Sequence, residues 1–317
     1  MRNYWHPIAR SDQVGEQPSA FRLLAEDLVA FRTVAGVHVF KDVCIHRGTA
    51  LSLGWVKDGV ITCAYHGFQY DTAGRCVRIP SRPEGTPIPS KARAVAYRVQ
   101  EAHGVVWVAL DEPIAPMPVF PDAFEHSQYR AILAYQGVWE TSAGRVLENF
   151  FDFSHFAWVH EGVLGSRDDA VAPEHDVEPT KTGFTFSVSP PPPAKFHSYE
   201  VMLPFVAHMR SGPLDGEHLY ISRCTSPLDP KRTLVFDWLV RNHTLDPADD
   251  RGFIEFQEGI AQQDKPIAES QKPEQIPVDL RDEFHIRVPD AASMHYRRLL
   301  AKIDQEYTYH DAAPSPV

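Results

Sequence analysis

The chain has 317 residues, a formal net charge of −11, 43% hydrophobic residues and four cysteines. That length suits two domains; the acidic balance excludes a nucleic-acid binder, which needs a basic footprint, and no apolar run is long enough to span a membrane. The start, Met1-Arg2-Asn3-Tyr4-Trp5-His6-Pro7, lacks the apolar core of a signal peptide and the cysteines make no disulfide framework, so the expected setting is reducing and cytoplasmic.

In chain order, short Val/Leu/Phe-rich runs (Phe21–Leu24, Leu28–Phe31, Val37–Phe40) predict a β-meander that continues through Val60–Cys63, Phe68–Tyr70 and Val105–Leu110. The proline-rich stretch Asp111–Pro118 predicts a domain boundary, with domains 1–115 and 116–317. Beyond it, Gly144–His160 reads as one helix, Gly183–Ser189 as a strand, Pro190–Pro193 as a stiff loop, and His218–Thr225 and Leu234–Val240 as strands. Helices follow at Asp249–Gln263 and Ala291–Tyr307. The expected class is α+β, an all-β domain followed by an antiparallel sheet flanked by helices.

Two loops in the first domain carry metal-ligand chemistry: Cys44-Ile45-His46 and, after sixteen intervening residues, Cys63-Ala64-Tyr65-His66. One Cys and one His per loop suit an asymmetric two-iron cluster, thiolates on one iron and imidazoles on the other, with a potential of roughly −150 to +300 mV. The competing reading, a structural Cys2His2 zinc site, favours paired cysteines followed by paired histidines. Gly48 and Gly67 fit tight loops, and Cys76 and Cys224 read as buried free thiols. Between Lys41 and Arg98 stand nine Lys or Arg and four acids, a +5 window in an otherwise acidic chain; it reads equally as a docking face for an acidic electron donor or as a solvated surface.

The second constellation is Asn149-Phe150-Phe151-Asp152-Phe153-Ser154-His155-Phe156-Ala157-Trp158-Val159-His160. Asn149, Asp152 and His155 recur every third residue as a polar stripe among aromatics, and buried polar groups need partners. Asp152, one turn before His155, can orient its ring. His155 and His160 would point about 140° apart on a regular helix, so convergence on one ion requires a break between them. A third, carboxylate ligand is sought among Glu255, Glu258, Asp264 and Glu269. Asp264 shares the face of Phe253, Phe256 and Ile260, Glu255 points away, Glu258 lies about 120° round from Asp264, and Glu269 follows Pro266, where the helix is expected to break. Asp264 is the expected ligand, completing a 2-His-1-carboxylate iron site; the alternative is a cap for a new helix opening at Pro266.

Both motifs, in this order, resemble the catalytic α subunit of Rieske non-haem iron oxygenases, with Ile45 and Ala64 where that family usually has Pro and Phe68 where it usually has Trp. The tail from Glu269 to Leu300 resembles the vanillate O-demethylase-type monooxygenases. The resemblance implies a Rieske [2Fe-2S] cluster on Cys44, His46, Cys63 and His66, mononuclear Fe(II) on His155, His160 and Asp264, and catalytic roles for Asp152 and Asn149. Asp152 is implied to bond cluster histidine His66 of a neighbouring subunit in a homotrimer. Electrons would come from NAD(P)H through a separate reductase carrying flavin and [2Fe-2S], O2 would be the co-substrate, and a small aromatic compound would be O-demethylated or monohydroxylated. Ring dihydroxylation, a bare Rieske electron carrier and a zinc-stabilised binding module are the alternatives. Arg210, Arg223, Arg241, Asn242 and His243, on or beside the predicted strands, are candidates for contacting the substrate, possibly a carboxylate.

Overall fold

The computed structural model describes residues 1–189, 197–213 and 215–306. The loop expected at Pro190–Pro193 and the expected helix end at Tyr307 lie outside them. Two compact units meet at Met117 and Pro118, Met1 joining the second.

The first unit is all-β. Strands β1 (His6–Arg10), β2 (Ser19–Leu23), β3 (Glu26–Thr33), β4 (Gly36–Lys41), β5 (Trp55–Lys57), β6 (Val60–Thr62), β7 (Gln69–Tyr70), β8 (Cys76–Arg78), β9 (Arg98–Ala102) and β10 (Val105–Ala109) form three antiparallel sheets. Their orders are β1-β10-β9, β2-β3-β4 and β5-β6-β7-β8. Leu28 to Phe31 and Val105 to Ala109 are buried without alternation, the pattern of strands covered on both faces. Val29, Phe31, Phe40, Leu51, Ile61 and Tyr70 form a core that also encloses Cys44 and Cys63.

The second unit is built on one seven-stranded antiparallel sheet. Its strands are β11 (Arg130–Trp139), β12 (Glu178–Pro179), β13 (Gly183–Val188), β14 (His197–Met202), β15 (Val206–Ser211), β16 (Leu219–Asp229) and β17 (Arg232–Arg241), in the order β11-β17-β16-β15-β14-β13-β12. Strands β11, β12, β14 and β15 escape the sequence reading. A register shift between Leu133 and Tyr135 breaks the alternation of β11, and His197, His208 and Arg210 dilute the apolar pattern of β14 and β15.

The helices correct the sequence reading in four places. The single helix expected at Gly144–His160 is two, α1 (Ala143–Phe151) and α2 (Phe156–Val159). The break has a local cause: Asp152 Oδ1 accepts the Ser154 backbone N–H at 2.8 Å and its hydroxyl at 2.6 Å, a short-range turn that competes with helix continuation. Helix α3 (Asp250–Ser270) continues through Pro266 instead of ending there. Pro266 removes one N–H late in a long helix, while Ala268 beyond it is buried and Glu269 accepts the Glu140 backbone N–H at 2.7 Å. The buried stripe of α3 is Gln257, Ala261, Asp264 and Ala268, not the expected Phe253, Phe256 and Ile260; Phe256 is 47% exposed. Small Ala261 and Ala268 let the helix lie close to its neighbours, which larger side chains would hold away.

Helix α4 (Arg287–Glu306) starts earlier than expected, across a non-helical Val288. A buried charge network ties it down: Arg297 bonds Glu148 of α1 at 2.6 and 2.7 Å and Glu283 at 2.7 Å, and Glu283 also holds Arg145 of α1. Three buried charges, Arg145, Glu148 and Arg297, are tolerable because each is paired, two of them with the half-buried Glu283. Leu147, Phe151, Phe184, Phe186, Val201 and Tyr296 form the apolar core between α1, α4 and the sheet.

Candidate metal centres

In the first unit, the two Cys/His loops are built alike. Gly48 N–H donates to the Cys44 carbonyl at 2.9 Å and Gly67 N–H to the Cys63 carbonyl at 3.0 Å, both glycines at positive φ (73° and 70°). A side chain at either position would be strained. Each turn buries its thiol and exposes its imidazole: Cys44 and Cys63 are 2% and 1% exposed, while His46 and His66 stand at the surface with Nδ1 atoms 3.2 Å apart. His46 stacks on Phe68, centroids 4.5 Å apart, and Cys44 Sγ lies 3.1 Å from the Tyr70 hydroxyl. Burial pushes the Cys63 thiol up, and neighbouring Cys44 adds to it, so two thiolates here require a cation between them. Buried sulfurs and exposed nitrogens fit a two-iron cluster with thiolate and imidazole ends.

In the second unit, three donor atoms converge. His155 Nε2 lies 3.2 Å from His160 Nε2 and 3.3 Å from Asp264 Oδ1, and His160 Nε2 lies 3.0 Å from the same oxygen. His155 and His160 stand at the two ends of the short helix α2, as its N-cap and C-cap, outside the long regular helix that would oppose them. Among the described residues this is the one group of three His, Cys, Asp or Glu so arranged. Each imidazole is steered from its far side. His160 Nδ1 meets Gln263 Oε1 at 2.7 Å, and His155 Nδ1 faces Asp152 Oδ2 at 3.7 Å. Asn149 Nδ2 lies 3.5 Å from Asp264 Oδ1.

The electrostatics agree with a cation site. Burial disfavours charge on His155, but the carboxylates of Asp152 and Asp264 outweigh it and raise its pKa to about 9. Burial likewise opposes ionisation of Asp264, yet the two histidines hold it well below the usual carboxylate range. Two neutral imidazoles and one carboxylate with open positions suit a non-haem Fe(II) centre. Sequence reasoning missed Gln263 as the partner of His160, although it adjoins Asp264.

The three donors line a cavity of about 400 Å³ whose other walls include Phe150, Phe156, Met209, Ile221, Phe256 and Ile260. Of the five residues considered for substrate contact, only Arg223 lines it. Arg223 is held by Asp237 at 2.7 and 2.8 Å, with Gln257 on the same carboxylate at 2.9 Å. Arg241 is engaged elsewhere, bonding the Thr244 carbonyl and Asp250 and stacking over Phe253 at 4.1 Å. Asn242 braces the turn before β16 through the His218 N–H and the Gly216 carbonyl, His243 is half-buried beside Thr244, and Arg210 bonds the Gly212 carbonyl and lines a separate concavity. Strand position alone could not separate these roles, since neighbouring arginines on a sheet face different surroundings.

Residues 4–98 match the Rieske [2Fe-2S] domain family and residues 139–306 the vanillate O-demethylase oxygenase C-terminal domain family. Methylxanthine N1-demethylase NdmA of Pseudomonas putida is 30% identical over 97% of this chain and 90% of its own length. The N3-demethylase NdmB of the same organism is 30% identical over 87% and 83%. The oxygenase subunit of 3-chlorobenzoate-3,4-dioxygenase of Comamonas testosteroni is 32% identical over 74% and 58%. The solved structure of Pseudomonas putida CBB5 NdmA with caffeine overlays with a TM-score of 0.87 at 30% identity, covering 96% of this chain and 91% of that one.

Proposed function

The chain belongs to the Rieske non-haem iron oxygenases with a vanillate O-demethylase-type catalytic domain, and from that membership we propose that it demethylates or monohydroxylates a small aromatic compound as a terminal oxygenase. The observation that carries the reading is the convergence of His155 Nε2, His160 Nε2 and Asp264 Oδ1 within 3.0–3.3 Å on a cavity of about 400 Å³. Cys44, His46, Cys63 and His66 would hold the [2Fe-2S] cluster and His155, His160 and Asp264 the mononuclear Fe(II). When bound, these groups supply electron storage and reductive activation of O2.

The protein's own contribution is placement. Asp152 Oδ2 faces His155 Nδ1 at 3.7 Å, Gln263 Oε1 accepts from His160 Nδ1 at 2.7 Å, and both far sides are thereby fixed with the ligand nitrogens turned toward one point. Phe150, Phe156 and Ile221 exclude water and leave the ring of an aromatic substrate an apolar bed. Oxidising a methyl group on oxygen or nitrogen consumes O2, two electrons and two protons, leaves a hydroxymethyl group and water, and collapse of that group releases formaldehyde. Residues 1–115 would act as the electron-receiving domain and 116–317 as the catalytic one. The electrons would come from NAD(P)H through a separate flavin and iron–sulfur reductase docking on the exposed arginines around the cluster loops. Asp152 is 37% exposed on its side chain and His66 is exposed, which suits their meeting between neighbouring subunits of a homotrimer.

Reconstitution with both irons, a Rieske-type reductase and NADH, followed by a panel of methoxybenzoates and N-methylated heteroarenes, tests the reading. Formaldehyde released in proportion to oxygen consumed is expected. Dihydroxylated product without formaldehyde would establish the ring dioxygenase alternative instead, for which the chlorobenzoate dioxygenase relative speaks.

A further inference from the structure

Beside the metal cavity lies a second cavity of about 320 Å³, and the two share Phe156, Leu164 and His197 as a common wall. Phe156 is central to that wall. Its ring centroid lies 5.0 Å from that of His155, 5.9 Å from His160 and 6.1 Å from His197. It therefore packs on both imidazoles of the metal site while facing the neighbouring space.

The second compartment is apolar. Apolar residues, among them Phe153, Ala157, Ala170, Ala172, Pro173 and Val188, make most of its described lining. Small side chains such as Ala170 and Ala172 leave room there. Among its described lining residues Asp169 and His197 are the ionisable ones, and Asp169 is exposed. The compartment opens near Val171, an apolar residue 84% exposed. A benzene-sized guest fills a cavity of about 150 Å³. The metal cavity alone thus holds a substituted ring, and the adjoining space is more than a single ring requires.

We propose that this compartment is a subsite for an apolar substituent of the substrate, reached from the metal cavity past Phe156 and Leu164. The substrate class is then an arene that presents its oxidised methyl group to the metal site and projects an alkyl or aryl group away from it. A charged or strongly polar tail is disfavoured, because the described wall offers it only a solvent-facing carboxylate, one imidazole and the Ser154 and Ser166 hydroxyls, of which that of Ser154 already donates to Asp152. This inference rests on the oxygenase reading, since it takes the His155–His160–Asp264 cavity as the place of oxidation.

The test is anaerobic titration calorimetry of the iron-loaded protein with anisoles bearing para-alkyl chains from methyl to pentyl. Affinity should rise roughly threefold to fourfold per methylene, the gain from burying one CH2 group. Ala172→Phe fills the compartment without touching the metal cavity, and Ala170→Leu fills it more gently should the first variant misfold. In either folded variant the dependence on chain length should flatten beyond the second carbon. A wild-type affinity indifferent to chain length, or a dependence that survives both substitutions, overturns the subsite. Formaldehyde release, measured in parallel with reductase, separates the two questions. Chain-length dependence without formaldehyde sinks the demethylase reading and leaves the subsite standing.

Discussion

At the residue scale, two side chains outside the proposed ligand set are placed to hold it. Gln263 Oε1 is the one hydrogen-bond partner seen at His160 Nδ1, at 2.7 Å, so Gln263→Leu should weaken iron retention about 10- to 100-fold, the usual effect of losing such a partner. Iron content after dialysis against a graded chelator measures it, and Gln263→Glu, which restores an acceptor, should recover retention. Asp152 bonds Ser154 and faces His155. Asp152→Asn keeps the shape and loses the charge-assisted acceptor. The variant should load both iron sites and accept electrons into the cluster, yet reoxidise the cluster more slowly when mixed with substrate and oxygen in stopped flow. An unchanged reoxidation rate would dismiss Asp152 as the electron bridge.

At the scale of elements, the start of α3 is fastened to the sheet by one carboxylate. Asp250 receives both Arg130 of β11 and Arg241 of β17, with 2.6 and 2.7 Å contacts on Oδ1. Arg130, above all, holds its pKa down to about 2. A depressed carboxylate pKa contributes stability that is present above the ordinary value near 4 and is lost as pH falls toward 2. Asp250→Asn should therefore cost about 1–3 kcal/mol at pH 7, and the gap from wild type should close in denaturant titrations run near pH 2. A gap that persists there would show that the pair does not carry the stabilisation. Because α3 also carries Gln263 and Asp264, loosening its start should raise the rate of iron loss in the same variant.

At the scale of the whole molecule, charge is divided along the chain. The window from Lys41 to Arg98 is +5 in a protein of net −11, and Arg47, Arg78, Arg82, Lys91 and Arg93 are all exposed. An acidic reductase steered to this face should lose productive encounter rate as salt rises, because screening shortens the field to roughly 8 Å at physiological ionic strength. Cluster reduction rates measured from about 20 to 500 mM salt should fall steeply for the wild type. The slope should flatten for a paired Arg78→Glu and Arg93→Glu variant. A rate indifferent to salt would return these residues to the role of a solvated surface.

The sequence by itself determined the chemistry. Each Cys/His pair lies within one short loop, and the tight turn each needs is visible as Gly48 and Gly67, so local spacing carried the cluster assignment. The same holds for His155 and His160, whose five-residue separation is incompatible with one regular helix, and which stand at the two ends of the short α2. Tertiary structure decided the rest. Asp264 shares a helical face with Phe256 and Ile260, yet those two border a cavity instead of the core. Whether an inward residue such as Met209 or Ile221 meets packed neighbours or open space depends on what approaches from distant segments, as does the capture of Arg241 by Asp250. Periodicity reports which way a side chain points. It is silent on what waits there, because packing is set by parts of the chain a hundred residues away.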